Sequence, residues 1–177
     1  MNRNMNLSFT MDMNRSDKEM KQIIKRYANF NWATPTWCIL HTIASKVVPQ
    51  YFPRHRQNLI NLVKQICHTL PCPFCKEHAS HFVDNYNYNK IKNSEDFKLW
   101  LWEFHNTVNV QTGKQKRTVD IINNYAMNDL NKLLTFWNTK FTVNIFSGPG
   151  IKIATEMNNT VRMVNDYINN NKYLFNL

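Results

Sequence analysis

Apolar residues recur at intervals of three and four through most of this 177-residue chain. That spacing places them on one face of a helix, so the pattern predicts a series of amphipathic helices. A first short helix is expected from Ser16 to about Tyr27, with Glu19 completing a capping box. Further helical segments are predicted at about 34–47, 54–69, 73–82, 94–112 and 118–136.

Residues that cap or break helices mark the ends of these segments. Thr34 is the expected N-cap of the second helix, with Pro35 at its first helical position. Pro73 suits the first turn of the fourth helix, because proline lacks the N–H that a first turn leaves unpaired. Ser94 is expected to begin the fifth helix, and Gly113 is expected to end it.

Alternation of apolar and polar residues, the mark of a strand, is nearly absent, and 143–146 is the best short candidate. The predicted fold class is therefore all-α: a four-helix bundle with an additional short helix and a C-terminal helical extension. Three regions are expected, namely an N-terminal lead with its short helix at 1–28, the bundle at 29–140 and the extension at 141–177.

Glycine is scarce, and this excludes two large classes of nucleotide-binding enzyme. The only glycines are Gly113, Gly148 and Gly150. The loops of P-loop hydrolases and of Rossmann dehydrogenases need several glycines at fixed spacing, where the backbone approaches a phosphate closely. The chain has neither pattern.

Basic residues outnumber acidic ones by 22 to 12, which gives a formal net charge of +10. This charge is typical of proteins that bind nucleic acid or anionic membranes, and also of proteins that hold a phosphorylated cofactor. The cations are scattered, which disfavours nucleic acid as a partner. No apolar stretch reaches the roughly 18 residues of a membrane span, and the polar N-terminus lacks a signal peptide. We therefore expect a cytoplasmic protein with no membrane span.

Two of the four cysteines, Cys72 and Cys75, form a proline-flanked CxxC pair at the start of the fourth predicted helix. Unpaired backbone N–H groups and the positive end of the helix dipole stabilise a thiolate there. A redox dithiol needs this stabilisation, because only the thiolate attacks a disulfide. Cys72 and Cys75 are thus the candidate catalytic residues.

The cysteines also allow other interpretations. A thioredoxin-type site would need strands that the pattern does not predict. Cys38 and Cys67 are either free and buried, which we favour, or bridged to each other. A zinc-stabilised helical binding module would place most of its ligands on one continuous helix, which is poor geometry for a tetrahedral ion. Its candidate ligands are Cys67, Cys72, Cys75, His78 and His81.

A second cluster of polar residues lies on the fifth predicted helix. His105, Asn106 and Asn109 are three or four residues apart, so they project from one side. On the second helix, Trp37 and His41 form a similar pair that could stack against a flat ring. Each group also has a plainer interpretation: an exposed polar face for the first and core packing for the second.

Taken together, these motifs resemble the flavin-linked sulfhydryl oxidases of the Erv/ALR type, most of all those of large DNA viruses. The resemblance covers about residues 32–114 and implies a helical bundle that holds FAD, usually in a homodimer, with the CxxC pair beside the flavin ring. The motifs that carry it are Trp37-x-x-x-His41-Thr42, Pro71-Cys72-x-x-Cys75, Trp100-Leu101, His105-Asn106-x-Val108-Asn109 and Gly113-Lys114.

The resemblance also implies roles for individual residues. Cys75 corresponds to the flavin-proximal cysteine, and Cys72 to the cysteine that exchanges with the incoming dithiol. The implied reaction forms disulfide bonds in protein substrates, with electrons passing through FAD to molecular oxygen to give hydrogen peroxide. The positions expected to contact the cofactor are Trp37, His41, Cys75, His105, Asn106, Val108, Asn109 and Lys114.

Two departures from the family pattern bear on function. There is no second CxxC to act as a shuttle, so we expect the protein dithiol substrate, a small redox protein with its own CxxC, to reach Cys72 directly. Gln111 stands where a basic residue is common, which removes one expected phosphate contact.

The viral resemblance implies a location in the host cytoplasm or the virion.

Overall fold

The computed structural model describes residues 31–142 and 150–177. Within these ranges the chain forms α-helices and short 3₁₀ segments and no β-strand, so the all-α fold class is confirmed. The helices are α1 (Ala33–Lys46), α2 (Phe52–His68), α3 (Pro73–Asn85), α4 (Ser94–Gln111), α5 (Leu130–Phe141) and α6 (Gly150–Asn170). The expected helix at 16–27 and the strand candidate at 143–146 lie outside the described residues.

Helix α4 begins where the sequence predicts, and the reason is a complete capping box. The Asn93 side chain accepts a hydrogen bond from the Asp96 backbone N–H at 2.9 Å. The Asp96 carboxylate in turn accepts from the Asn93 N–H at 3.3 Å. Two N–H groups that would otherwise lack partners are thus paired, which fixes Ser94 as the first helical residue.

Two predicted boundaries are wrong. Helix α1 begins at Ala33 and not after a Thr34 cap, because Trp32 already has helical backbone angles and its carbonyl accepts from the Thr36 hydroxyl at 2.7 Å. The amphipathic segment at 118–136 is not one helix. Its first part is a 3₁₀ segment at Val119–Met127, and the carboxylate of Asp129 then caps the new helix α5 by accepting from the Lys132 N–H at 3.0 Å.

The core forms where α1 packs against α4 and α5 and where α2 packs against α3. Aromatic side chains fill much of it, and Phe97, Trp100 and Trp137 are almost completely buried. The Trp137 indole N–H reaches the Thr36 hydroxyl at 3.1 Å, so this large side chain is buried with its polar atom paired. The α1–α4 and α1–α5 contacts leave one side of α1 free to line cavities.

The C-terminal segment 150–177 is built into the core. Met157, Val164 and Ile168 of α6 are fully buried. Their spacing places them on one face of the helix, and this face packs into the core. The end of the chain is held by backbone hydrogen bonds: Val48 N–H to Leu174 O and Asn176 N–H to Lys46 O, both 2.8 Å. None of the described helices is long and apolar enough to cross a membrane.

Candidate functional site

A disulfide joins Cys72 and Cys75 at the start of α3. Cys72 is the N-cap of this helix, Pro73 follows in its first turn, and the Cys75 N–H points at the Cys72 sulfur at 3.3 Å. The predicted placement of the CxxC at a helix N-terminus is therefore confirmed. When the pair is reduced, the same N–H groups and the helix dipole favour thiolate over thiol.

The two sulfurs of this disulfide differ in exposure. Cys72 is fully buried, whereas Cys75 is half-buried. Both line a cavity of about 390 Å³, which we call the thiol cavity. It is bounded by helices α1 to α4 and the 3₁₀ segment Val119–Met127. The accessible sulfur is thus the one that the resemblance places beside the flavin, and the sulfur expected to exchange with substrate is covered.

The other two cysteines also line the thiol cavity, and both are free thiols, as we favoured, but only Cys67 is buried as expected and Cys38 is partly exposed. Burial raises the pKa of Cys38 above its ordinary value. Burial, with a smaller contribution from the Asp84 carboxylate, also raises the pKa of the fully enclosed Cys67. Neither residue lies at a helix start. Both therefore stay protonated and unreactive, in contrast to the CxxC pair, whose thiolate form is stabilised by the start of α3.

Aromatic rings form one wall of the thiol cavity. The indole of Trp37 stacks on the imidazole of His105 with ring centres 4.0 Å apart and planes 3° from parallel. Phe104 meets the Trp37 indole edge-on, with centres 5.0 Å apart. A wall of parallel rings is suited to a flat conjugated ligand, because offset stacking is favourable for such groups.

A second cavity of about 360 Å³ adjoins the first, and we call it the cation cavity after Lys114 and Arg117, which line it. The cavities share four lining residues: His105, Asn109, Lys114 and Tyr125. Among residues 31–142 and 150–177, no aspartate or glutamate lines either one. In the part of the chain that the structure describes, neither Lys114 nor Arg117 forms an ion pair. The cation cavity therefore carries uncompensated positive charge.

Two histidines separate the cavities and are coupled to each other. His41 Nε2 and His105 Nδ1 lie 3.0 Å apart, so one ring donates and the other accepts. Burial and then the charge of His105 lower the pKa of His41 to about 3. Burial and then the charges of Lys114 and Arg117 lower the pKa of His105 to about 4. Both imidazoles are therefore neutral at neutral pH and act as hydrogen-bonding groups.

All eight predicted cofactor-contacting residues line these two cavities. Asn106, however, has its carboxamide engaged with the backbone of Arg117, which accepts at 2.9 Å and donates at 2.8 Å. The distribution is Trp37, Cys75 and Val108 in the thiol cavity, His41 and Asn106 in the cation cavity, and His105, Asn109 and Lys114 in both.

Tyr125 and Arg117 are lining residues that the sequence analysis missed. The Tyr125 ring stacks on His41 with centres 4.6 Å apart. It belongs to a segment that returns to the site after the chain reverses at Gly113, whose φ is +72°. The Asn128 side chain then holds that segment to α1 by donating to the Thr42 hydroxyl at 2.9 Å. Spacing within one helix could not reveal contacts made by a separate, irregular segment.

The zinc interpretation gains no support from this geometry. The sulfurs of Cys72 and Cys75 are bonded to each other, so neither is available as a thiolate ligand. Within 31–142 and 150–177, no three histidine, cysteine, aspartate or glutamate side chains lie close enough together to hold a metal ion.

Comparison with known proteins gives one family. The model of the Erv1 / Alr family matches residues 34–129. A FAD-linked sulfhydryl oxidase of African swine fever virus is 29% identical over 85 residues, which are 48% of this chain and 71% of the viral protein. The FAD-linked sulfhydryl oxidases ERV1 of Arabidopsis thaliana and Oryza sativa are 29% and 33% identical, over 45% of this chain and 41% and 40% of their own lengths. No solved structure matches the chain.

Proposed function

The chain belongs to the Erv1/Alr family, whose model spans more than half of it, and on this premise we propose that it is a FAD-linked sulfhydryl oxidase that forms disulfide bonds in proteins. The viral relative agrees with the resemblance to proteins of large DNA viruses. The observation that carries the proposal is a disulfide at a helix N-terminus that lines a cavity walled by aromatic rings.

The two cavities fit FAD in their chemistry. A flavin needs a flat, largely apolar slot next to the reactive disulfide, and the thiol cavity offers one between Trp37 and Cys75. A diphosphate needs cations and no carboxylates, and the part of the cation cavity lining that the structure describes meets both conditions. Each volume lies within the usual range for cofactor sites. We therefore assign the ring to the thiol cavity and the diphosphate to the cation cavity.

Thiol–disulfide exchange at the CxxC pair follows from its position. A substrate thiolate attacks Cys72, a mixed disulfide forms, and Cys75 leaves as a thiolate stabilised by the first turn of α3. A second substrate thiolate then attacks the mixed disulfide and releases Cys72. The substrate dithiol has become a disulfide, the CxxC pair is reduced, and two protons have been released.

When bound, FAD would serve as the acceptor for the electron pair of the reduced CxxC and as its route to molecular oxygen, with hydrogen peroxide as the product. The protein's part is to hold the flavin against Cys75, to keep His41 and His105 uncharged and to exclude carboxylates from the phosphate end.

The buried position of Cys72 adds a requirement to this route. An attacking thiolate must approach along the disulfide axis, and Cys72 has no exposed surface. Exchange at Cys72 therefore needs its cover to move before the substrate binds productively. Cys75, in contrast, is only partly buried and lines the cavity that we assign to the flavin, so a bound flavin would restrict attack on Cys75 from that side.

The chain has no second pair of nearby cysteines that could relay electrons, because its other cysteines are the separate thiols Cys38 and Cys67. We propose that the donor is a small protein with its own CxxC, which delivers its thiols to Cys72 directly. A homodimer is implied by the family resemblance and is tested by light scattering, for which one mass of twice 21.1 kDa is expected.

Oxygen consumption with a dithiol tests the proposed function. Cys72→Ala and Cys75→Ala should each lower turnover by about 1,000-fold or more, since each removes a reacting atom. Ser80→Ala is the matched control, because Ser80 lies on the same helix and lines neither cavity. Full oxygen consumption by the variant that lacks both cysteines would overturn the proposal.

A further inference from the structure

The segment that follows α4 carries an arginine whose backbone is held from two sides. The Asn106 carboxamide donates to the Arg117 carbonyl at 2.9 Å and accepts from the Arg117 N–H at 2.8 Å. The Trp102 indole N–H donates to the same carbonyl at 3.0 Å. Three hydrogen bonds on one residue fix both the position and the direction of its peptide groups.

The end of α4 explains how this residue reaches the site. Gly113 adopts a left-handed backbone conformation with φ +72°, and the Lys114 N–H closes the turn on the Asn109 carbonyl at 2.7 Å. The chain therefore doubles back along α4. As a result, Lys114 and Arg117 line the same cavity, although only Lys114 belongs to a recognisable motif.

The charge around the cavity indicates what these two cations bind. Among the described residues, neither has an ion-pair partner, and none of those that line the cation cavity carries a carboxylate. Both cations lower the pKa of His105, which lines both cavities, so their charge acts where the two cavities adjoin. Two unpaired cations at one cavity match a ligand group with two negative charges, and an arginine can bind phosphate oxygens with two parallel N–H groups.

We propose that Arg117 is a phosphate-binding residue of this site, together with Lys114, and that Asn106 is a positioning residue that holds Arg117 there. The inference rests on the proposed function, because it takes the diphosphate of FAD as the anion. It assigns Asn106 a different task from the expected cofactor contact: the carboxamide acts through the backbone of Arg117. It also supplies a second cation at the cation cavity, whereas Gln111, which replaces the basic residue expected from the resemblance, lines the thiol cavity.

The affinity of the purified holoenzyme for FAD tests the role of Arg117. The holoenzyme is diluted at several salt concentrations, and the bound fraction is followed by flavin fluorescence anisotropy. Arg117→Gln should raise the dissociation constant about tenfold at low salt and make it less dependent on salt, because one screened ion contact is gone. Arg117→Lys should keep the salt dependence and lose part of the affinity.

Lys116→Gln is the matched control. It removes one positive charge, as Arg117→Gln does, but from the preceding residue, which lines neither cavity. It should leave the dissociation constant within about twofold of the wild-type value, because exposed charges outside the site are screened. An equal loss of FAD affinity in Lys116→Gln and Arg117→Gln would show that the loss comes from the lower net charge and not from a specific contact, and it would overturn the proposal. An Arg117→Gln variant with wild-type affinity and salt dependence would also overturn it.

A double-mutant cycle tests the positioning role of Asn106. Asn106→Leu should lower FAD affinity and salt dependence to the level of Arg117→Gln, and the double variant should be no weaker than the single ones. Additive losses, or an unchanged salt dependence in Asn106→Leu, would contradict the positioning role. If wild-type protein retains no FAD, the proposed function itself fails. If wild-type protein retains FAD and Arg117→Gln and Asn106→Leu bind it with wild-type affinity and salt dependence, only the present inference fails.

Discussion

Helices α1 and α4 bury polar side chains against cavities, whereas α6 buries apolar side chains against the core. His41 on α1, and Asn106 and Asn109 on α4, are buried and line the cation cavity. The buried face of α6 is made almost wholly of apolar residues, with Thr160 as its one polar member among those described. Polar burial beside a cavity costs stability, and close apolar packing contributes it.

This difference teaches that the chain separates two tasks. The cavity-lining faces of α1 and α4 carry buried polar groups, and we propose that these groups serve ligand binding at some cost to folding. Helix α6 lies outside the residues matched by the family model, yet it supplies packing that the bundle uses. Substitutions in the two regions should therefore affect different measurements.

The largest expected effect concerns which sulfur exchanges with substrate. In Cys75→Ser, Cys72 first loaded with thionitrobenzoate as a mixed disulfide should trap a substrate that keeps only one cysteine of its CxxC in nearly stoichiometric yield, because thionitrobenzoate is the leaving group and no second thiolate can release Cys72. Cys72→Ser should trap almost none. Mass spectrometry of the non-reduced complex measures both yields, and efficient trapping by Cys72→Ser alone would reverse the assigned roles.

In α6, truncation of a core side chain should remove stability and leave chemistry intact. Ile168 is fully buried, so Ile168→Ala should lower the free energy of unfolding by about 2–4 kcal/mol. Denaturant unfolding measures this loss, and oxygen consumption per folded molecule should stay unchanged. Met163→Ala, on the same helix but 38% exposed, is the control and should cost much less. A lower turnover number in folded Ile168→Ala would contradict the separation of tasks.

Acid should destabilise the cavity region through its neutral histidines. Burial lowers the pKa of His41 from 6.5 to about 3, so between these values the unfolded chain binds a proton that the folded chain does not. The stability from this residue is therefore complete above pH 6.5 and falls as the pH decreases, by about 1.4 kcal/mol per pH unit at most. The free energy of unfolding of wild type and of His41→Gln, measured at several pH values from 6.5 down to about 3, gives the difference. Parallel plots of this free energy against pH would contradict the prediction.

A smaller effect is expected where α2 meets the end of the chain. Both ring nitrogens of His55 bond tyrosine hydroxyls, with Nδ1 3.1 Å from Tyr167 and Nε2 3.0 Å from Tyr173. His55→Phe should lower the free energy of unfolding by about 1–2 kcal/mol, because the two hydroxyls regain partners only from solvent. Tyr173→Phe removes one of these bonds and should cost roughly half as much. FAD content should be unchanged in both variants, and flavin loss in either would contradict the comparison.

Local signals in the sequence were sufficient for most of the bundle and for the motif residues. Helix-start residues such as Ser94, the prolines and the helical spacing all act within a few residues, so they predict where helices begin. The CxxC and His-Asn motifs likewise lie on single helices, which is why their placement at the cavities could be anticipated.

Contacts between distant segments were beyond such signals. Tyr125 and Arg117 reach the site only because the chain reverses at Gly113 and Asn128 ties the 3₁₀ segment to α1. The burial of α6 depends on a surface formed by other helices, and its own pattern shows only that one face is apolar. The burial of Cys72 also depends on tertiary packing, because the CxxC spacing says nothing about which sulfur is covered.

Anaerobic titration of the purified holoenzyme with a dithiol tests the central claim most directly, namely that electrons pass from a dithiol through Cys72 and Cys75 to bound FAD. The account predicts a yellow protein whose visible flavin absorbance is bleached by dithiol in the wild type and persists in Cys75→Ala. A folded wild-type protein that carries no flavin, or a Cys75→Ala variant that bleaches at the wild-type rate, would contradict it.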